Sequence, residues 1–143
     1  MADNPFQVSG IDHVVIRVRD IGPMLDFYQN VLGCPVERKV EDIGLYQLRA
    51  GTSMIDLVPV DSELGRMGGA APGKDGLNMD HVCLRVDPWD DDVILAFLKD
   101  AGVDAGPVKS RSGAEGEGPS IYFDDPEGNR IEIKGPAFDT QPA

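Results

Sequence analysis

Ile11-Asp12-His13-Val14-Val15-Ile16-Arg17-Val18 and Met79-Asp80-His81-Val82-Cys83-Leu84-Arg85-Val86 are two versions of one phrase, and His13 and His81 are the only histidines in the 143-residue chain. The phrases stand about half a chain apart. The sequence is therefore an internal duplication, each copy one supersecondary unit too small to bury a core alone. The duplication continues downstream. Tyr46-Gln47-Leu48 precedes Met54-Ile55-Asp56-Leu57-Val58 in the first copy, and Tyr122-Phe123-Asp124 precedes Arg130-Ile131-Glu132-Ile133-Lys134 in the second. In both copies the tyrosine precedes the acid by ten positions.

Strand parity gives the repeat a chemical meaning, because alternate residues of a strand point to opposite faces of its sheet. Val14, Ile16 and Val18 form an aliphatic register that packs on helices, so His13, Val15 and Arg17 face the other way. The same parity groups His81, Cys83 and Arg85. In the acidic strands Ile55 and Leu57, or Ile131 and Ile133, take the buried register and turn Asp56 and Glu132 away from the helices. Tyr46, Ser120 and Tyr122 are expected on that same face, with Leu45, Ile121 and Phe123 buried. If the two half-sheets curve around one space, two imidazoles and two carboxylates converge there, a ligand set for a divalent metal.

Helices are predicted at about residues 22 to 33 and 89 to 101. Pro23 suits a first turn, Met24, Leu25, Phe27, Tyr28, Val31 and Leu32 form an apolar face, and Gly33 supplies a stop. In the second copy, Asp87 or Pro88 starts a segment in which Val93, Ile94, Phe97 and Leu98 recur at helical spacing before Gly102. The aromatics among them are read as core. The acid run Asp90-Asp91-Asp92 is read as a solvated helix start. Residues 62 to 78 are rich in glycine, proline and small residues and are expected to form an irregular connection. Residues 110 to 119 form a second loop of that kind and lead into Ser120 and Tyr122; no lysine-serine pair or following helix makes it a phosphate cradle.

Composition bounds the partners. A hydrophobic content of 41% over 143 residues suits one core of ordinary size. A formal net charge of −12 argues against nucleic acid and anionic membrane surfaces, both of which select basic faces. Within that acidic chain, Arg17 and Arg85 share the histidine face and are the candidates for capturing an anionic substrate. No stretch reaches the roughly 20 apolar residues of a bilayer span, and the first residues lack a charged-then-apolar leader, so a cytoplasmic protein is expected. Cys34 and Cys83 lie in different copies without a CxxC partner, and no disulfide between them is expected in a reducing compartment.

The pattern of a strand with histidine, a helix carrying Phe27-Tyr28 and ending at Leu32-Gly33, and strands ending in an acid resembles the vicinal oxygen chelate superfamily. The matching stretches are His13 to Asp20, Phe27-Tyr28 to Gly33, Met54 to Val58, His81 to Val86, and Tyr122-Phe123-Asp124-Asp125-Pro126-Glu127-Gly128-Asn129 through Glu132, spanning residues 10 to 136. That superfamily includes glyoxalase I, extradiol dioxygenases, fosfomycin-resistance transferases, methylmalonyl-CoA epimerase and the metal-free bleomycin-binding proteins.

The resemblance implies an α+β fold of two tandem βαβββ modules, forming a curved, cup-shaped mixed sheet with helices outside. Residues 1–143 would be one domain, with module one at about 8–61, a linker at 62–78 and module two at about 79–136. It also implies one divalent ion (Ni, Zn, Mn, Co or Fe(II)) on His13, His81 and Glu132. Asp56 stands at a fourth position that is acidic or amide-bearing in glyoxalase I, one methylene shorter than a glutamate. Glu132 and Asp56 are then the catalytic acids, and Arg17, Arg85, Tyr46, Ser120 and Tyr122 the substrate contacts. The expected activity is that of a glyoxalase-like lyase or isomerase on a small anionic oxygenated substrate, working in a homodimer. The alternatives are an Fe(II) extradiol dioxygenase and a non-catalytic binding or resistance protein.

Overall fold

Each copy of the repeat folds as a strand, a helix and three further strands. The computed structural model describes residues 3–139. The first copy comprises β1 (His13–Val18), α1 (Ile21–Asn30), β2 (Val36–Val40), β3 (Leu45–Ala50) and β4 (Ser53–Pro59), followed by a short α2 (Glu63–Arg66). The second comprises β5 (Val82–Arg85), α3 (Asp91–Asp100), β6 (Lys109–Arg111), β7 (Gly118–Asp124) and β8 (Arg130–Lys134). The chain divides into two compact units, Met1–Ala71 and Pro72–Ala143, so the boundary falls inside the connection expected from composition. The α+β architecture of tandem βαβββ modules is thus the observed one.

Both sheets are open and four-stranded, in the orders β1-β4-β3-β2 and β5-β8-β7-β6. In each, the first and last strands of the module pair in parallel and the other pairings are antiparallel. A parallel pair needs a crossover, which the intervening helix provides. Asp20 caps α1 by accepting from Gly22 N at 3.4 Å, and Asp90 caps α3 by accepting from Val93 N at 3.1 Å. These carboxylates satisfy N–H groups that a first helical turn leaves without partners. The acid run is therefore a cap followed by a first turn, as its composition indicates.

The aliphatic registers are buried as parity requires. In the first unit Ile16, Val18, Leu48, Ile55 and Leu57 are buried, along with Met24, Phe27 and Tyr28 of α1. In the second unit Ile121, Phe123, Ile131 and Ile133 are buried, along with Leu98 of α3. Each such side chain contributes roughly 1.5–3 kcal/mol on burial.

Four expectations need correction. The helices differ from prediction at their ends: α1 starts at Ile21 and stops at Asn30 with Val31 as its cap, and α3 is shorter at both ends, running from Asp91 to Asp100. Phe97 is 50% exposed, so α3 turns its aromatic outward and buries Leu98 instead. The connection at 62–78 is not wholly irregular: the Ser62 hydroxyl caps α2 by accepting from Gly65 N at 3.0 Å, and Glu63 and Arg66 suit its two ends. Gly65 is required there, because a Cβ would lie 1.8 Å from Pro59 O.

The fourth correction concerns Tyr46. It pairs with Leu57, and Leu48 with Ile55, so Tyr46 lies on the aliphatic face of its sheet. Gln47, paired with Asp56, takes the place predicted for the tyrosine. The cause is turn length. In the first copy Ala50 pairs with Ser53 across a two-residue turn, whereas in the second Asp124 pairs with Arg130 across five residues. Equal spacing along the chain therefore gives Tyr122 opposite Glu132 in one copy and shifts the register by one residue in the other, and a shift of one reverses the face.

Candidate functional site

Each unit gathers half of the predicted ligand set on the face opposite its aliphatic core. In the first, Val15 is the parallel partner of Asp56 and His13 opens the same strand two residues earlier, so both functional side chains share a face. Asp56 is 3% exposed. Its Oδ2 accepts from Gln47 Nε2 at 3.4 Å, and Gln47 Oε1 accepts from Arg38 Nη1 at 3.5 Å. Asp56 Oδ1 is fully buried with no hydrogen-bond partner. Leaving such an oxygen unmatched costs about 1–3 kcal/mol, more when it is charged, so an orphan of this kind calls for a cation or a proton donor.

His13 is half-exposed, and its Nδ1 lies 2.7 Å from Asp12 Oδ1. That hydrogen bond first, and the charge of Asp56 second, raise its pKa above the ordinary 6.5. In the second unit His81 Nδ1 lies 2.6 Å from Asp80 Oδ1. A carboxylate can only accept, so Nδ1 carries the proton in both rings and the lone pair of the neutral ring stays on Nε2. This is the arrangement in which a carboxylate orients a metal-ligating histidine. Asp12 and Asp80 were visible in the repeated Asp-His dipeptide, yet parity alone gave them no role.

Glu132 is 5% exposed and sits between β5 and β7, paired with Cys83 and Tyr122. Its Oε1 is 3.3 Å from His81 Nε2, and its Oε2 accepts from the Ser120 hydroxyl at 2.8 Å. Burial alone pushes the carboxyl upward. Bonds from Ser120, Tyr122 and Cys83 and the charge of His81 together outweigh it and hold Glu132 below the ordinary range. Ser120 is itself oriented by Arg111, whose Nη1 donates to both Ser120 O and Oγ at 3.0 Å. The Arg111 guanidinium also lies 4.4 Å from the Tyr122 ring centre. Burial, and then the neighbouring Glu132, push the Cys83 thiol up to about 11, which suits it as a neutral donor to that carboxylate.

Of the predicted substrate contacts, Ser120 and Tyr122 stand beside Glu132. A cavity of about 430 Å³ opens next to Tyr122, lined also by Arg111, Arg130, Asp104 and Asp124. Arg17 is on the histidine face, but its guanidinium donates to the carbonyls of Gly65, Gly69 and Ala70 at 2.8–3.1 Å. It thereby ties the connection to β1. Arg85 is ion-paired with Glu115.

The four predicted donors are thus divided two and two: His13 and Asp56 in the first unit, His81 and Glu132 in the second. Among the described residues no three of His, Cys, Asp and Glu stand together as a metal cluster. Taken unit by unit, the donor chemistry suits a divalent ion: an imidazole with oriented Nε2 and a carboxylate oxygen with no partner in the first, an imidazole with oriented Nε2 and a carboxylate held ionised in the second.

A family model described as the Glyoxalase/Bleomycin resistance protein/Dioxygenase superfamily matches residues 10–133. Virulence protein STM3117 of Salmonella typhimurium (strain LT2) is 33% identical in a 133-residue alignment that covers 88% of this chain and 83% of that protein. The crystal structure of that protein superposes with a TM-score of 0.75 at 26% identity, covering 92% of this chain and all (100%) of the other. The V. cholerae integron cassette protein VCH_CASS1 superposes with a TM-score of 0.73 at 28% identity, over 91% and 97% of the two chains. Lactoylglutathione lyase from Agrobacterium tumefaciens shares the fold, with a TM-score of 0.66 at 19% identity over 90% and 95%.

Proposed function

We propose that this chain, which belongs to the Glyoxalase/Bleomycin resistance protein/Dioxygenase superfamily, is a metal-dependent lyase or isomerase of glyoxalase type acting on a small anionic oxygenated substrate. The observation that carries the reading is the repeated half-site: in each unit a histidine oriented through Nδ1 by the preceding aspartate shares a sheet face with a buried carboxylate. His13, His81 and Glu132 would hold the ion, with Asp56 as a fourth or outer partner.

A bound divalent ion supplies Lewis acidity toward two oxygens of the substrate and stabilises negative charge that develops on them. The protein supplies the rest. Ser120, Tyr122 and Cys83 keep Glu132 ionised, which suits a ligand more than a base. Asp56 has one tethered oxygen and one without a partner, which leaves Oδ1 able to take a proton from a carbon acid. Tyr122 and its cavity offer room and one aromatic face for the body of the substrate.

The test is metal analysis of protein purified without added metal, followed by assay after loading with Ni, Zn, Mn, Co and Fe(II). Activity on a hemithioacetal or another carbon acid with Ni, Zn or Co supports the reading. Oxygen uptake with catechols under Fe(II) would move the chain to the dioxygenases, and tight ligand capture without metal or turnover to the binding proteins. The same proposal places a homodimer in the cytoplasm; no described helix is long and apolar enough to cross a membrane. Sedimentation equilibrium of the loaded protein checks the dimer.

A further inference from the structure

Lys134 is a charged residue in a place that charged residues seldom occupy. It ends β8 on the same face as Glu132, pairs with Arg85 on one side and Ser120 on the other, and is only 4% exposed. A lysine with so little exposed surface buries its stem and holds its charge close to the protein, so such a group needs an explanation beyond packing.

The loop above it makes room for this side chain. A Cβ on Gly113 would stand 2.9 Å from Lys134 Cε, and a Cβ on Gly118 would stand 2.9 Å from Lys134 Nζ. Glycines at these two points let the backbone close over the lysine. From the same loop Glu115 reaches down and pairs with Arg85. Its carboxyl is held below the ordinary range, first by the Arg85 hydrogen bond and charge and then also by the charge of Lys134. Glu115 is exposed, so the pair is weak and exchangeable.

We propose that Lys134 and Arg85 form the seat for the anionic end of a small ligand, a carboxylate or phosphate group, and that Glu115 occupies this seat until the ligand displaces it. A loop carboxylate beside two cations does what a ligand carboxylate would do: it accepts from the guanidinium and offsets the charge of the lysine. Ligand entry then exchanges one carboxylate for another anion as the 112–117 loop opens, while Asp87 stays 3.8 Å from the Arg85 guanidinium. Ser120, between Lys134 and Glu132, links the seat to the half-site. The inference rests on the proposed anionic substrate only for its purpose; the seat itself is read from the second unit alone.

The probe is inorganic phosphate, titrated calorimetrically into the full chain without divalent metal. Glu115→Gln removes the competitor and is expected to tighten phosphate about fivefold, the scale of one exposed ion pair. Lys134→Gln in that background is expected to lose the gain. The Lys134 side-chain NMR signals of Glu115→Gln are expected to move on phosphate addition, which keeps the test decisive if the double variant does not fold. Unchanged affinity in Glu115→Gln, a gain that survives Lys134→Gln, or unmoved Lys134 signals overturns the seat. Failure of metal binding would instead sink the proposed function and leave this result standing.

Discussion

His81 Nδ1 lies 2.6 Å from Oδ1 of Asp80, the residue immediately before it, and His13 makes the same contact with Asp12 at 2.7 Å. The carboxylates fix which ring nitrogen carries the proton and so which one can bind a cation. If that is their role, Asp80→Asn and Asp12→Asn should each weaken divalent-metal affinity by about 10–100-fold. Both aspartates are exposed, and melting temperatures should hardly change. Competition against a fluorescent chelator measures the affinity, and unaltered affinity in both variants would leave the aspartates as surface acids.

His13→Ala and His81→Ala should each abolish tight metal binding while the fold persists. Neither ring belongs to the aliphatic register that builds the cores, and His13 is half-exposed. Metal content after chelator dialysis, beside the circular dichroism of each variant, is the check. Full retention of metal by both variants removes the site.

The pH response of His13 has two opposed parts. Its pKa is raised above 6.5 by Asp12 and then by Asp56, so in metal-free protein its protonated form contributes stability that is fully present below pH 6.5 and lost as pH rises through the higher folded value. Metal needs the neutral ring, so affinity falls as pH drops through that same raised value. Thermal melts with and without metal should therefore diverge as pH rises. An NMR titration of the ring should show Asp12→Asn moving the pKa down toward 6.5, since the Asp12 bond is its largest cause. A pKa that does not respond would assign the shift to Asp56 instead.

Much of this was legible from the repeat. A buried aliphatic alternation fixes which side of a strand faces the core, so the opposite face followed for His13, Asp56, His81, Ser120, Tyr122 and Glu132 without knowledge of the partner strands. Tyr46 failed because β3 has two weak registers: Leu45 and Leu48 have opposite parity and only Leu48 is buried. The two-residue turn at Gly51 and Thr52 decides between them. Gln47 was hidden by the same ambiguity. Lys134 and Glu115 were hidden for another reason, since a charged residue at a strand end and another in a glycine-rich loop look solvated until the loop is placed.

Ser120→Ala tests how Glu132 is kept ionised. The serine is fully buried and donates to Glu132 Oε2, so its loss removes one of three hydrogen bonds that offset the burial of the carboxyl, and leaves Arg111 without its Oγ acceptor. A cost of about 1–3 kcal/mol in stability is expected. The Glu132 pKa should rise, and metal binding should be lost at a higher pH than in the parent. Denaturant unfolding and the pH profile of metal affinity read the two effects separately; a stability loss with an unchanged profile would limit Ser120 to packing.

The two acids are expected to separate by role. Glu132 has three hydrogen-bond donors and the His81 imidazole about it, which holds it as a fixed, ionised group. Asp56 has one tether, from Gln47, and an oxygen with no partner. Glu132→Gln should therefore lose both metal and turnover, because an amide replaces the charge that a bound cation needs. Asp56→Asn should keep the metal and lose turnover by roughly 10²-fold or more, the scale of a missing general base. Gln47→Leu supplies the intermediate case: it removes the tether without touching the carboxylate, so kcat should fall while KM and metal content stay near the parent. Metal loss in Asp56→Asn with metal retained in Glu132→Gln would exchange the assignments, making Asp56 the ligand and Glu132 the displaceable base.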